Sequence, residues 1–166
     1  MTRAPADRVR SADPRGPGPQ LRAVCVVVPV HDEEALLGRC VAGLQRAVLH
    51  EQARPGGVPV EVVLVLDGCT DASASIARLS PFRVVEVSER RVGAARAVGV
   101  EVGLDALRER YGLLPDEAVW IASTDADSVV PAHWVSSQVG LAGQGADVVV
   151  GTVRPDPADL TQRQHA

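Results

Sequence analysis

The feature that most constrains the fold of this chain is a regular alternation of short apolar runs with segments of helical periodicity. Continuous apolar runs indicate strands that are buried on both faces, and intervening helices indicate that neighbouring strands run parallel. We therefore expect an α/β domain with an open, mostly parallel, Rossmann-like sheet, right-handed crossovers and helices on both faces. Five strands are predicted, at residues 23–29, 60–66, 83–87, 118–124 and 146–151.

Helix signals occupy the segments between these runs. Asp32 and Asp71 are placed to cap the first two helices, and Pro131 suits the first turn of the last one. The predicted helices cover residues 33–50, 72–79, 93–111 and 131–142.

Composition limits the domain organisation. A chain of 166 residues with 46% apolar content suits one globular domain, which we place at residues 23–151. Residues 1–22 are rich in Pro, Gly and Arg and predict a disordered tail, and residues 152–166 predict an irregular one. The sequence has 17 arginines and no lysine. This excludes a Walker A, Schiff-base or kinase lysine.

Charge and hydropathy bear on partners and location. A net charge of −4 without a broad basic face argues against a nucleic acid partner. No apolar stretch is long enough to span a bilayer, and the N-terminus lacks a signal-peptide segment, so we expect a cytoplasmic protein. The arginine-rich tail could also touch the inner membrane face, although a solvated tail is the simpler interpretation. Cys25, Cys40 and Cys69 form no CxxC pair and are expected to be buried, reduced thiols.

Acidic segments follow three of the predicted strands, at residues 29–34, 67–71 and 125–127. The carboxyl ends of parallel strands share one edge of a sheet, so these segments can converge on one ligand. Residues 90–96 open the third long helix, and the arginines there can offset phosphate charge.

The Asp125-Ala126-Asp127 segment carries the most specific chemistry. Two carboxylates at the end of a buried strand repel one another unless a cation or hydrogen-bond donors compensate. Carboxylate oxygens suit a hard divalent cation, and such a cation can bridge the oxygens of a diphosphate. We therefore expect an Mg²⁺ or Mn²⁺ site and nucleotide-sugar chemistry.

Simpler interpretations remain open for the other segments. Helix capping is sufficient for Asp32 and Asp71, and the Asp-Gly pair at residues 67–68 is a common turn. His31 alone could be a surface histidine, and the arginines at 90–91 could be solvated.

Taken in order, these segments resemble family 2 glycosyltransferases of the GT-A fold. The resemblance covers roughly residues 23–151. It implies a domain that binds a UDP- or GDP-linked sugar and transfers a hexose to an acceptor that the residues do not identify. The motifs that carry it are Pro-Val-His-Asp-Glu-Glu at 29–34, Leu-Asp-Gly-Cys-Thr-Asp at 66–71, Gly-Ala-Ala-Arg at 93–96 and Thr-Asp-Ala-Asp at 124–127.

The resemblance assigns roles to residues at both ends of the ligand. Pro29 and His31 would line the nucleobase pocket, Asp67 would accept a hydrogen bond from the base, and Glu33 would belong to the nucleotide-sugar site. Arg96 would lie near the base or the diphosphate. Asp125 would face the ribose or the water shell of the cation. Asp127 would be the ligand of Mg²⁺ or Mn²⁺.

The resemblance also implies that elements beyond the fifth strand are absent from the chain. In such enzymes those elements carry the acceptor site and a catalytic carboxylate. We therefore expect a missing general base, poor transfer, and self-association or a partner over the truncated sheet. Asp156, Asp159 and His165 lie in the C-terminal tail, but nothing in the pattern makes any of them the base.

Two other classes of function remain as alternatives. One is a non-catalytic nucleotide-binding module or interaction protein. The other is a phosphatase, because residues 125–129 also resemble the nucleophile motif of haloacid dehalogenases. A dinucleotide-binding enzyme is disfavoured because no GxGxxG turn follows the first strand.

Overall fold

A computed structural model describes residues 20–112 and 114–154. Residues 1–19 of the predicted N-terminal tail lie outside this range, as do residues 155–166, which include Asp156, Asp159 and His165. The described chain contains four strands, β1 (Ala23–Val30), β2 (Val60–Asp67), β3 (Arg83–Val87) and β4 (Val119–Ser123). It also contains four α-helices, α1 (Leu37–Gln52), α2 (Ser73–Arg78), α3 (Val92–Tyr111) and α4 (Trp134–Gly143), and a 3₁₀ turn at Asp116–Ala118.

The four strands form one sheet in the order β3-β2-β1-β4, and every pairing is parallel. β1 pairs with β2 from Val24 opposite Val60, and with β4 from Ala23 opposite Val119. The chain first adds strands on one side of β1 and then returns to its other side. The strand order therefore reverses between β1 and β4, and open α/β sheets bind ligands beyond the carboxyl ends of the strands at such a point.

Alternate residues of β1 divide the core into two layers. Val24, Val26 and Val28 pack in one cluster with side chains of α1, α2 and α4. Cys25 and Val27 pack in the other cluster, with side chains of α3. Full burial of each valine contributes roughly 1.5–3 kcal/mol, so this strand supplies much of the stability of the fold. The prediction of a parallel sheet covered by helices on both faces is confirmed.

Helix α3 approaches the sheet through two glycines. A Cβ atom on Gly99 would collide with the side chain of Val27, and a Cβ atom on Gly103 would collide with Sγ of Cys25. The helix backbone therefore lies directly on the side chains of β1. This close packing fixes the start of α3 relative to the carboxyl ends of the strands.

Two helices begin three or more residues later than predicted. α1 begins at Leu37, and Asp32 is not its cap, which corrects the capping prediction. Asp32 instead has a φ angle of 51° and bonds to the loop after β2, so its side chain serves a contact between loops. α4 begins at Trp134, three residues beyond Pro131.

The prediction of a fifth strand at residues 146–151 is wrong. These residues form an irregular segment, and Val148 and Val150 are 76% and 86% exposed. A strand needs backbone hydrogen bonds to a neighbouring strand, and an apolar sequence alone does not provide that neighbour. In the described part of the chain, β4 pairs with β1 only, and its other edge has no strand beside it.

Among the described residues, no helix combines the length and the apolar character that a bilayer-spanning helix needs.

Candidate functional site

The loops that follow the four strands enclose one pocket at the carboxyl edge of the sheet. Its volume is about 660 Å³, which is large enough for a nucleotide-sized ligand. Six residues of the predicted site line the pocket, at or just beyond the ends of β1, β2 and β4, namely Pro29, His31, Glu33, Asp67, Asp125 and Asp127. The structure therefore brings these six residues together.

The loop after β1 is tied to the loop after β2 by side chains of both. His31 donates from Nδ1 to the backbone oxygen of Asp67, at 2.6 Å. The carboxylate of Asp32 accepts from the backbone N–H groups of Thr70, at 2.6 Å, and Asp71, at 3.3 Å. The bond from Thr70 lowers the pKa of Asp32 below its ordinary value, because it stabilises the charged form.

A second set of bonds joins the same two loops further from the sheet. The backbone N–H of Glu33 donates to Oγ of Ser73, at 2.8 Å, and the backbone N–H of Glu34 donates to the carboxylate of Asp71, at 2.9 Å. Asp71 also accepts from the N–H of Ser73, at 2.9 Å, although Ala72 is the N-cap residue of α2. Burial raises the pKa of Asp71, but the bonds from Ser73 and Glu34 outweigh it and leave the pKa lowered.

Asp32, Cys69 and Asp71 also place ligand-type atoms within 4.8 Å of one another. The carboxylates of this group are already engaged by backbone N–H groups, so their geometry is explained by the joining of the loops.

The loop after β3 is held by Asp67. The Asp67 side chain is buried, with 5% of the residue exposed. One carboxylate oxygen accepts from the backbone N–H of Arg90, at 2.8 Å, and the other from that of Arg91, at 3.1 Å. Both arginines line the pocket. The sequence indicated that arginines of this segment could offset phosphate charge, but it left a solvated surface open for both and assigned neither a role in the site.

The loop after β4 carries the acidic end of the site. Arg96 of α3 forms an ion pair with Asp125, with 2.6 Å between Nη2 and Oδ1, and donates from Nε to Oγ of Ser123, at 3.1 Å. Ser123 in turn donates to the backbone oxygen of Val27, at 3.0 Å. Arg96 does not itself line the pocket. It therefore joins the predicted site through Asp125.

Glu33 lies at the same end as Asp125 and Asp127. Its pKa is raised by burial and by the charges of Asp127, Asp71 and Asp125. Behind these groups, burial raises the pKa of Cys40 to about 12, and the charges of Asp127, Asp125 and Glu33 add to the effect. Three carboxylates therefore act on one small region, and the ion pair from Arg96 to Asp125 offsets part of their charge.

These side chains supply the oxygen ligands that a hard divalent cation takes, although Glu33, Asp125 and Asp127 do not bring their ligand atoms within 4.8 Å of one another among the described residues. Such cations prefer carboxylate oxygens, and the mutual repulsion that raises the pKa of Glu33 would be relieved by a bound positive charge. Neither Asp127 nor Glu33 forms an ion pair in the contacts described above. The hydroxyl group of Ser128 donates to the carboxylate of Asp127, at 3.2 Å.

The pocket is electrically polarised along the sheet edge. The strand order places the loop with Arg90 and Arg91 at one end and the loop with Asp125 and Asp127 at the other. Three spacings of about 4.8 Å separate β3 from β4 by roughly 14 Å. An extended ligand with an anionic, cation-binding group at one end can therefore lie across all four loops.

The open parallel sheet and the pocket at its reversal point define an α/β protein with a candidate ligand pocket at the carboxyl edge. The sequence matches the model of Glycosyl transferase family 2 over residues 25–166, and the chain belongs to this family. No curated protein sequence matches the chain.

Solved structures were compared with this fold. S. aureus TarS 1–349 aligns with a TM-score of 0.51 and 16% identity, over 75% of this chain and 33% of its own length. S. aureus TarS aligns with a TM-score of 0.52 and 15% identity, over 75% of this chain and 20% of its own length. The mannosyltransferase PcManGT from Pyrobaculum calidifontis, in complex with GDP-Man and Mn²⁺, aligns at 25% identity over 86% of this chain and 39% of its own, but its TM-score of 0.45 is too low to compare folds.

The TarS similarities establish the fold. The chain has an α/β fold of the GT-A type, and it spans a third or less of the length of the TarS chains.

Proposed function

We propose that this chain is the donor-binding part of a hexosyltransferase that uses a UDP- or GDP-linked sugar with Mg²⁺ or Mn²⁺. The observation that carries the proposal is that Glu33, Asp125 and Asp127 all line one pocket of about 660 Å³, where the charges of Asp125 and Asp127 act on Glu33. A nucleotide sugar brings a planar base and an anionic diphosphate, which match the two ends of this pocket. Membership of Glycosyl transferase family 2 supports glycosyl transfer as the reaction class.

The nucleoside would lie at the end formed by the loops after β2 and β3. Pro29, His31 and Asp67 are the predicted residues at or beside that end, and Val92 adds an apolar surface. A flat apolar wall with hydrogen-bonding groups at its rim suits a nucleobase.

The diphosphate would lie at the end formed by Asp125 and Asp127. Asp127 and Glu33 would hold the cation, with Asp125 kept in place by Arg96. When bound there, the cation would neutralise the charge that develops on the leaving diphosphate. The chain's own groups would orient the diphosphate, and its acidic end would repel the diphosphate in the absence of the cation.

Calorimetry with UDP and GDP, in the presence and absence of Mn²⁺, tests this proposal. We expect binding of at least one nucleotide to strengthen with Mn²⁺, and Asp127→Ala to weaken that binding about ten- to a hundredfold. Asp105→Ala is the matched control, since it removes an exposed carboxylate on α3 that pairs with Arg108. No binding of either nucleotide, or binding that is equal in Asp127→Ala, would contradict the proposal.

The acceptor and the catalytic base belong to the same proposal but are not assigned to residues. A chain that binds the donor and transfers nothing would be the non-catalytic module. Assay of sugar release and transfer with the native chain separates the two cases. The phosphatase alternative loses its support, because Asp125, its proposed nucleophile, is paired with Arg96 and the chain belongs to a transferase family.

We further propose that the side of the sheet beyond β4 contacts another protein surface in a cytoplasmic setting. Ile121 on β4 and Val148 and Val153 beyond α4 are exposed apolar side chains there. A second copy of this chain is the simplest partner, since edge strands and apolar patches favour association.

A further inference from the structure

The loop that follows β4 lies against one face of helix α1. Cys40 and Gly43 are both buried and are three residues apart in α1, so they lie on the same side of the helix. Ala126 and Val130 of the loop are buried in the same core cluster as Cys40. The residues on either side of Ala126 are the two aspartates that line the pocket. The loop is therefore packed on α1 through the residues that alternate with its carboxylates.

The backbone oxygen of Asp125 receives two hydrogen bonds. The N–H of Ser128 donates to it, at 3.2 Å, which closes a tight turn over residues 125–128. The thiol of Cys40 donates to the same oxygen, with 3.6 Å between Sγ and the oxygen. Burial raises the pKa of this thiol to about 12, so the thiol keeps the hydrogen that it donates at neutral pH. Cys40 therefore bonds α1 directly to the turn that carries both acidic residues.

Gly43 brings the backbone of α1 close to the end of the same loop. A Cβ atom on Gly43 would lie 3.2 Å from both the backbone oxygen of Val130 and Cγ1 of Val129, and 3.3 Å from the backbone nitrogen of Val130. Backbone atoms cannot rotate away, so the loop would have to move by a few tenths of an ångström. A Cβ atom on Gly38, in the same helix, would meet nothing within 4 Å. The close approach thus belongs to the face of α1 that contacts the loop.

We propose that Cys40 and Gly43 are positioning residues, which set where α1 holds the turn that carries the two aspartates. This inference rests on the proposed function, in which Asp127 holds the cation. From the other face of the sheet, Arg96 of α3 fixes the side chain of Asp125. Helix α1 would fix the backbone of the same turn. Groups that bind a cation must keep their positions to within about 0.5 Å, so a small shift of the turn should affect the cation and the diphosphate but not the nucleoside.

Calorimetry of two Cys40 variants tests the inference. The ligands are the nucleotide that the native chain binds, UDP or GDP, with Mn²⁺, and the matching nucleoside alone. Cys40→Ala removes the donor, and Cys40→Ser replaces the thiol with a hydroxyl donor. We expect Cys40→Ala to weaken the Mn²⁺-dependent affinity about three- to tenfold and to leave the nucleoside affinity unchanged.

The order of the two variants separates positioning from stability. Cys40→Ser should retain most of the Mn²⁺-dependent affinity even where it lowers the melting temperature, because a hydroxyl group is less favourably buried than a thiol. An affinity for Cys40→Ser that is as low as that of Cys40→Ala would show that the donor has no role, and would overturn the inference.

The two glycines of α1 provide a matched pair of variants. Gly43→Ala should weaken the Mn²⁺-dependent affinity by a similar factor, because its methyl group displaces the loop. Gly38→Ala makes the same change in the same helix without a contact, and should leave both affinities unchanged. Equal Mn²⁺-dependent affinities for these two variants would also count against the inference.

Amide hydrogen exchange of the free chain, followed by NMR, provides a readout that needs no ligand. The N–H of Ser128 shares its acceptor with the thiol of Cys40. Cys40→Ala should accelerate exchange of this N–H about three- to tenfold, because the turn loses its bond to α1, whereas Gly38→Ala should not. Unchanged exchange at Ser128 in Cys40→Ala would overturn the inference. A native chain that binds neither UDP nor GDP would instead remove the proposed function, and exchange at Ser128 would still decide whether α1 holds the turn.

Discussion

At the scale of single residues, Asp32 shows how a side chain can support the site without being part of its chemistry. Its carboxylate joins the loops after β1 and β2 through bonds to Thr70 and Asp71. Those bonds lower its pKa below 3.8, so the charged form stabilises the folded state at neutral pH. This contribution is lost as the pH falls through the lowered, folded-state pKa.

We therefore predict a pH-dependent difference between the native chain and Asp32→Asn. Asparagine also suits the φ angle of 51°, so the change mainly removes the charge. The variant should unfold at a lower temperature than the native chain at pH 7, and the difference should shrink below about pH 4. Thermal unfolding followed by circular dichroism between pH 3 and 8 gives the measurement. A difference that stays constant over this range would show that the charge of Asp32 contributes nothing.

Buried thiols give a second residue-scale prediction. Burial raises the pKa of Cys25 and of Cys40 to about 12, so their thiolate fraction at pH 8 is roughly one in ten thousand. Iodoacetamide should therefore leave both unmodified in the folded chain, while half-buried Cys69 reacts slowly. Mass spectrometry of digests before and after unfolding in urea measures this. Rapid labelling of Cys25 in the folded chain would show that α3 does not cover β1.

The residues of the site were predictable to different degrees. Asp125 and Asp127 follow an apolar run directly, so their sequence context alone indicated a functional pair. The partners of Asp67 were not predictable, because Arg90 and Arg91 lie 23 and 24 residues away and bond through backbone groups that every residue has. Asp32 was assigned to a helix cap for the same reason, because its partners Thr70 and Asp71 are distant in the sequence and also bond through backbone groups.

At the scale of elements, the close packing of α3 on β1 is open to direct test. Gly103→Ala would bring a methyl group into collision with Sγ of Cys25. We expect the free energy of unfolding to fall by about 1–3 kcal/mol, measured by urea titration. Gly140→Ala in α4 is the control, because nothing lies within 4 Å of a Cβ atom there, and it should be neutral or stabilising. A neutral Gly103→Ala would mean that α3 can move away from the sheet.

Elements with a complete set of local signals were predicted closely. The bounds of β1, β2, β3 and α3 differ from the predictions by a residue at most. The strand prediction for residues 146–151 failed because a strand forms only beside a neighbouring strand, and the sequence of these residues does not show whether such a neighbour is present. The strand order was also beyond sequence reasoning, since the apolar runs are nearly equivalent.

At the scale of the whole molecule, the exposed apolar surface beyond β4 predicts association. We expect sedimentation velocity to show dimers or larger species whose fraction rises with concentration. Val148→Asp together with Val153→Asp should shift the chain to monomer, because charges oppose burial of this surface. Leu79→Asp is the control, since Leu79 is 89% exposed at the end of α2, outside that surface. A native chain that stays monomeric at all concentrations would rule out self-association.

The central position of β1 has a consequence for the growing chain. Of the four described strands, β1 is synthesised before the others, but one of its two neighbours, β4, is synthesised after them, since Ala23 lies opposite Val119. Local pairing with β2 can form early, while the other edge of this valine-rich strand waits for about ninety more residues to emerge. During that interval the nascent chain exposes an apolar, unpaired edge, which is the kind of surface that chaperones bind and that aggregates. Expression at low temperature should therefore raise the soluble yield, because translation slows less steeply than aggregation of such edges.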